Sequence, residues 1–328
     1  MGVKADIKVA GKQADVSVES QVVQASLRAR GHVALTGDYE ADASIDTSAL
    51  PLEILLATFS SRVPEGFSGQ TEFHVTLKGP LKDKRQLEAH LVIPTLTASY
   101  QSLQIGAAGP IRADYSHSVV TLQPSEIRGT GTSLRVQGSV PVGGKSAPSV
   151  TAEGSIDAHI FRMFSPELRS SGTIALDIHA TGSAASPQVA GQVRLQNIAF
   201  ATDAAPLGID KLNGTLNLDS ERVQISNLTG QVGGGQISVG GSMTYRPGPQ
   251  FDIALRADSV RLRYPDGLRS VLEGTLAWVG TAKASTLRGR VLVDALSFTP
   301  DFDLATFGDQ FSSNAAAPAV PGLSLIHI

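Results

Sequence analysis

Displacing the sequence by 103 residues lays Ser68–Val140 over Ser171–Met243 without a gap. Gly69 then falls on Gly172, Gly79 on Gly182, Val120 on Val223, Leu122 on Ile225 and Gly131 on Gly234. Leu134, Val136, Gly138 and Ser139 fall on Ile237, Val239, Gly241 and Ser242. A third start stands at Glu273-Gly274-Thr275-Leu276, after which a four-residue deletion matches Gly289 and Phe298 to Gly191 and Phe200. Self-similarity at a fixed long period is the mark of a repeat architecture, in which one unit cannot close its own core and must stack on the next.

Within the period, apolar and polar residues alternate in short bursts separated by Gly182, Pro187, Pro206, Asn213-Gly214 and Gly233-Gly234-Gly235. Alternation of period two, punctuated by turn residues, predicts antiparallel strands with one apolar and one wet face. Each unit reads as about eight strands of four to six residues plus one segment that breaks the pattern. That segment is TSALPLEILLATFSSRVPEG at 47–66, DAHIFRMFSPELRSS at 157–171 and DSVRLRYPDGLRSVLEG at 258–274. Leu52, Leu55, Leu56 and Phe59 have the spacing of a helical face, with Asp46, Thr47 or Ser48 as candidate caps. The expected fold is all-β: an elongated, repetitive antiparallel sheet curled into a groove, open-solenoid-like, with short helices between repeats.

The expected organisation is a partial β repeat over 1–66 ending in a short helix, β repeats over 67–170 and 171–272, and the start of another over 273–305. Residues 306–328 read as a linker or disordered tail, small and proline-rich. The last six, LSLIHI at 323–328, resemble the translated end of a sequencing adapter, and both ends of the chain read as cut.

Composition narrows the function classes. Charged residues are 17% and nearly balanced at −3, without the basic cluster that nucleic acid requires. There is no cysteine, which excludes disulfides and thiolate chemistry. Histidines 32, 74, 90, 117, 159 and 179 are scattered one per strand with no metal-ligand spacing, and read as polar-face residues. Gly129-Thr130-Gly131 is followed by Leu134 where a dinucleotide fingerprint needs glycine, and Gly233-Gly234-Gly235 lacks the lysine of a phosphate loop. No nucleophile elbow occurs. Asp157, Asp177, Asp210 and Asp258 sit in turns or on the polar phase, Trp278 reads as a packing residue, and the Asn213 and Asn227 sequons read as chance. The chain is expected not to be an enzyme and to use no cofactor or metal.

The ordered set PQVAGQVRLQNIAFA, APLGIDKLNGTLNLDSERVQISNLTGQVGGGQISVGGSMTY, RADSVRLRYPDGLRS and LRGRVLVDALSFTPDFDL, within 187–304, resembles the repetitive region of the TamB-like translocation and assembly module subunits, of the wider AsmA-like group. The resemblance implies a periplasmic β-taco body whose hydrophobic groove carries phospholipid between inner and outer membranes. It also implies support of outer-membrane protein assembly, an inner-membrane anchor at the N-terminus, and an Omp85-type outer-membrane partner met through a C-terminal domain. This stretch shows neither anchor nor complete C-terminal domain. The residues expected to line a path for acyl chains are Ile174, Leu176, Ile178, Val193, Leu195, Leu216, Leu218, Val223, Ile225, Ile237, Val239, Phe251, Ile253 and Leu255.

Three alternatives differ in what covers that face. A closed solenoid would bury it in a dry core. An adhesin or autotransporter passenger of that kind favours coils much shorter than 103 residues. A transmembrane barrel needs strands of about 9–11 residues and aromatic belts, against 5% aromatics and short bursts here.

Overall fold

The computed structural model describes residues 2–299, apart from 23–24, 60–64, 144–146, 164, 166, 184–185, 203–204, 206, 246–247 and 265–266. The expected linker and adapter-like end, and parts of the Phe-Ser-Pro and Tyr-Pro-Asp segments, lie outside those residues. The chain is all-β and forms two compact units, residues 1–166 with 176–189, and residues 167–175 with those from 190 onward.

In the first unit the strands are β1 (Gly2–Ala10), β2 (Gln13–Val22), β3 (Ala25–Ala34), β4 (Glu40–Thr47), β5 (Leu50–Pro51), β6 (Phe67–Thr71), β7 (His74–Pro80), β8 (Glu88–Ile93), β9 (Leu96–Tyr100), β10 (Leu103–Ala107), β11 (Ile111–Ser116), β12 (Val119–Gly129), β13 (Thr132–Pro141) and β14 (Ser149–Asp157). Eight of these are the pieces of four strands interrupted in the middle: β4 continues into β5, β6 into β7, β8 into β9 and β10 into β11. The pairings prove it, since β4 meets β7 while β5 meets β6, and β8 meets β11 while β9 meets β10. The result is an antiparallel meander, each strand beside its neighbour in sequence. In the second unit follow β15 (Arg169–Ser183) and β16 (Ser186–Ala201), both shared at the boundary, then β17 (Ile209–Leu218), β18 (Arg222–Val232), β19 (Gly235–Thr244), β20 (Gln250–Leu262), β21 (Leu268–Thr281) and β22 (Ser285–Phe298). Among the described residues β1 pairs with β2 alone and β22 with β21 alone, so the meander does not close into a barrel.

The 103-residue displacement is visible element by element. It carries β12 onto β18 and β13 onto β19 end for end, and it carries the register shift between Leu122 and Ser125 onto that between Ile225 and Leu228. Counted as continuous strands, the repeat has six, not eight. The short bursts of alternation are halves of longer strands, such as the 16 residues of β16, that run through a bulge where the phase of alternation slips. The strand-length argument against a barrel therefore falls, and the open edges take its place.

Those interruptions line up. In the first unit they fall at residues 48–49, 72–73, 94–95, 108–110 and 123–124, on five successive strands. Backbone bonds bridge them: Thr47 N–H donates to Phe73 O at 3.0 Å, Glu72 N–H to Thr95 O at 3.2 Å, and Ala108 N–H to Glu126 O at 2.8 Å. A bulge bends its strand and sharpens the local twist, so a row of them bends the sheet along a line. The backbone groups released there need partners, and buried hydroxyls supply some. Thr47 Oγ1 accepts from Phe73 N–H at 2.9 Å, and Thr71 Oγ1 donates to Thr95 O at 3.3 Å. Both threonines are buried.

The displacement also pairs the residues of this line. Pro94, Pro110 and Pro124 correspond to Asn197, Asn213 and Asn227. Proline lacks the ladder donor. Asn197 and Asn227 adopt φ of +49° and +48°, a region asparagine tolerates better than most residues. Asn213 instead uses its side chain, with Oδ1 accepting from Asn197 N–H and Nδ2 donating to Lys211 O. The two sequons thus have a structural role at the bend.

The helix expected near 50–61 is present as α1 (Leu52–Phe59), although the side chains of Thr58 and Phe59 lie outside the described residues. None of its expected caps serves it. Ser48 Oγ accepts from Ser26 N–H, Thr47 is engaged with Phe73, and Asp46 meets His74, because β5 intervenes before the helix begins. Leu52 lies on Gly69 of β6, where a Cβ would stand 2.6 Å from Leu52 Cδ1. A 3-10 helix, Ala158–Met163, follows β14, and its Ile160 covers Phe67, Tyr100 and Leu103. Neither helix is long and apolar enough to cross a membrane.

Candidate functional site

Cross-strand register decides which of the fourteen expected groove residues share a surface. In the second unit Val193 stands opposite Leu216, Leu216 opposite Ile225, Ile225 opposite Gly241, Gly241 opposite Ile253, Ile253 opposite Trp278, and Trp278 opposite Leu287. A parallel row runs Leu218, Val223, Met243, Phe251. A third runs Leu228, Val239, Leu255, Leu276, while Ile237 faces Gly230 and Ala257, and Leu195 faces Gly214. The register therefore places eleven of the fourteen on one face. Ile174 lies on β15 in this unit. Leu176 and Ile178 stand on the part of β15 that belongs to the first unit.

The first unit repeats the arrangement with residues not singled out from sequence. Its central row is Ala5, Val18, Ala29, Ile45, Val75, Leu91, Ala113, Leu122, Gly138 and Val150, one residue from each of ten strands. Also missed were Leu228, Met243, Leu276, Trp278 and Leu287. The bulge between Ile225 and Leu228 shifts the phase of β18, so Leu228 cannot be placed without the register, whereas Met243 continues the unbroken alternation of Ile237 and Val239 along β19.

This face is neither buried nor fully exposed. Of the eleven, Ile237 is buried at 8% exposure and the other ten are half-buried. On the opposite phase Arg194, Asn217, Gln224, Ser238, Asp252, Arg256 and Thr275 are exposed. No large side chain among the described residues falls below 2% exposure, and Trp278, Met243 and Leu287 remain 43%, 39% and 48% exposed. Phe251 and Trp278 pack ring to ring, centroids 4.1 Å apart at 42°. Such a face is shielded mainly by its own neighbours.

The recesses of the two units are shallow. One of 590 Å³ is lined by Asp6, Lys8, Asp15, Arg30, His32 and Asp42 together with Val16 and Ala43, and one of 460 Å³ by Ser238, Arg256, Thr275 and Arg288 together with Leu255 and Leu276. A twisted sheet is saddle-shaped, so each face is concave along one diagonal. The apolar face is an open trough rather than a pocket.

The polar face of the first unit alternates basic and acidic side chains across the strands. Lys4, Glu19, Arg28, Asp46 and His74 form one row, and Lys8, Asp15, His32, Asp42, Lys78 and Glu88 another. Nδ1 of His32 lies 2.7 Å from Asp15, that of His74 2.8 Å from Asp46, and that of His90 2.7 Å from Asp114. Hydrogen bonds from His90 and Gln123 hold the Asp114 carboxyl below the usual aspartate range. Individually such exposed pairs contribute little. Collectively they oppose a one-residue slip, which would turn every charge to the apolar side. His117 departs from the one-per-strand expectation by occupying a turn at φ +50°, and His159 by lying in the 3-10 helix, where Asp157 Oδ1 accepts from its backbone N–H.

Among the described residues no group of three or more His, Asp or Glu side chains is placed to hold a metal ion. What the arrangement offers is a continuous, non-directional apolar contact surface. Comparison with family models, with characterised proteins and with solved structures finds no match to this chain.

Proposed function

We propose that the chain is part of a periplasmic, bridge-like lipid conduit, its apolar face carrying phospholipid acyl chains between inner and outer membranes and supporting outer-membrane protein assembly. The reading follows from the resemblance to TamB-like subunits, which implies an inner-membrane anchor and an Omp85-type outer-membrane partner. The observation that carries it is the row Val193, Leu216, Ile225, Gly241, Ile253, Trp278, Leu287, apolar throughout and uncovered by any described layer. A closed solenoid core would leave such positions dry.

Strands lie about 4.8 Å apart, so this row runs for about 29 Å, close to the hydrocarbon thickness of a bilayer. Each methylene laid on it gains about 0.8 kcal/mol on full burial. Because the row offers no hydrogen bond to an acyl chain, displacement by one strand exchanges one aliphatic contact for another at small cost. Binding without a fixed register is what a conduit requires.

The test is native mass spectrometry and lipid extraction on the chain expressed in a bacterial periplasm. The wild type is expected to carry phospholipid, and Leu218→Asp and Leu255→Asp, both at half-buried positions, to lose it while keeping a β circular-dichroism spectrum. A stable lipid-free wild type, or folded variants with unchanged lipid, refutes the reading.

A further inference from the structure

The polar faces of the two units treat their cations differently. In the first unit Lys4, Lys8, Arg28 and Lys78 stand opposite Glu19, Asp15, Asp46 and Glu88. In the second, Arg256 stands between Ser238 and Thr275, Arg290 stands opposite the same Thr275, and Arg288 stands opposite Ala277. None of these three arginines has an ion pair or a hydrogen bond among the described residues. Cross-strand neighbours of opposite charge stabilise a sheet and like charges oppose it. Three guanidinium groups on adjoining positions therefore leave a positive charge that the side chains around them do not neutralise.

Small residues make the space beside them. Gly240, Ala254 and Ala277 follow one another across β19, β20 and β21, and Arg288 ends that row on β22. No atom lies within 4 Å of the position that a Cβ of Gly240 would take. The neighbouring row is Ser238, Arg256, Thr275 and Arg290. Between the two rows lies the recess of 460 Å³, which Arg256 and Arg288 enter from different strands over a floor of Gly240, Ala254 and Ala277, with the Ser238 and Thr275 hydroxyls beside it.

We propose that this recess binds a phosphate group. A guanidinium fork meets carboxylate or phosphate oxygens two at a time. One fork occupies both oxygens of a carboxylate, whereas a phosphate keeps oxygens for a second fork and for the hydroxyls. No aromatic side chain among the described residues lines the recess, so nothing there stacks on a base and the anion itself is the recognised group. Leu255 and Leu276 of the apolar rows alternate with Arg256 and Thr275 along their strands, which puts the trough on the opposite face. A lipid lying in the trough cannot present its own phosphate to the recess, and the inference goes beyond the lipid reading. The phosphate belongs to a soluble ester or to the surface of an anionic membrane.

The experiment is isothermal titration of the full chain with inorganic phosphate, at an ionic strength held constant with sodium chloride, beside flotation with phosphatidylglycerol vesicles. The wild type is expected to take up phosphate saturably, and chloride at equal ionic strength not to displace it. Arg256→Gln and Arg288→Gln are each expected to weaken uptake about tenfold, and Arg256→Lys, which keeps the charge without the fork, to restore only part of it. Arg194→Gln is the control: Arg194 shares the polar face but donates to Gln192 outside the recess, and uptake should not change. All three arginines replaced are exposed, and circular dichroism verifies folding. Phosphate uptake assigns the site to a soluble ester, and flotation without uptake assigns it to a membrane surface; either is expected to fail in both glutamine variants of the recess. A chain that takes up no phosphate and does not float overturns the proposal. So does binding that is equal in folded Arg256→Gln and Arg288→Gln, or phosphate that chloride displaces at the same ionic strength.

Discussion

Gly240 and Gly241 are neighbours in β19, and the structure gives their replacement by alanine opposite signs. At Gly241 φ is +127°, and a Cβ there would stand 2.0 Å from the carbonyl oxygen of Asp252 on β20. At Gly240 φ is not positive and nothing lies within 4 Å of the Cβ position. Backbone strain of this type costs about 1–3 kcal/mol, and the clash with a ladder carbonyl forces β19 and β20 apart. Gly241→Ala is therefore expected to destabilise by about 2–4 kcal/mol in all. Gly240→Ala removes unfolded-state freedom at no native expense, for a gain of about 0.4–1 kcal/mol. The assay is urea unfolding followed by the fluorescence of Trp278, the only tryptophan. Trp278 stands opposite Ile253, which stands opposite Gly241, so it reports on the affected ladder. With a slope of about 2 kcal/mol per molar urea, the midpoint falls by about 1–2 M for Gly241→Ala and rises by about 0.2–0.5 M for Gly240→Ala. Midpoints that move together in either direction refute the reasoning, because only the register and φ distinguish the two positions.

Asn227, at φ +48°, is expected to accept glycine with little change and to lose about 1–2 kcal/mol on Asn227→Ala, measured by the same urea midpoint. Asn227→Pro should unfold the second repeat despite the proline at the corresponding position of the first, since proline is confined to φ near −65°. His90→Ala removes the first of the hydrogen bonds that hold Asp114 low, and the carboxyl should titrate closer to its ordinary value, as read by carboxyl-carbon NMR. The sign is that of a depressed carboxylate. Its stabilising contribution is present above the unfolded-state pKa and lost as pH falls through the lower folded-state value, and His90→Ala reduces that loss. Phe251→Ala exposes the Trp278 ring that it packs against, so emission should shift to the red and stability fall by about 1–2 kcal/mol; an unshifted spectrum argues against the pair.

The alternation of Val193 with Leu195, or of Ile253 with Leu255, was enough to predict strands, because period two has one structural meaning when turn residues bound it. The 103-residue displacement likewise anticipated the matching of β12 with β18. Strand length was misread because a bulge and a turn leave the same trace in a sequence, a break in phase beside Pro, Asn or Gly. Pro124 and Asn227 stand inside β12 and β18, not between strands. The same slip hid Leu228 from the apolar face. The caps of α1 failed for a tertiary reason. Thr47 and Asp46 have the chemistry of caps, but the bend brings Phe73 and His74 to them first.

The substitution of Pro94, Pro110 and Pro124 by Asn197, Asn213 and Asn227 ties the bend to the apolar face. The two residue types share no side-chain chemistry, and their common property is negative: both disfavour an uninterrupted ladder, proline by lacking a donor and asparagine by accepting a left-handed backbone or competing with its side chain for backbone groups. That a position tolerates both, three times over, identifies the interruption itself as what the fold requires there. A flat meander of these strands would leave its aliphatic rows wide open, a surface prone to aggregation. Bent where those strands are interrupted, the same rows stay half-buried without a second described layer of chain, as ten of the eleven aligned residues are. The bend thus shields the apolar rows from bulk water while keeping them open to another apolar chain.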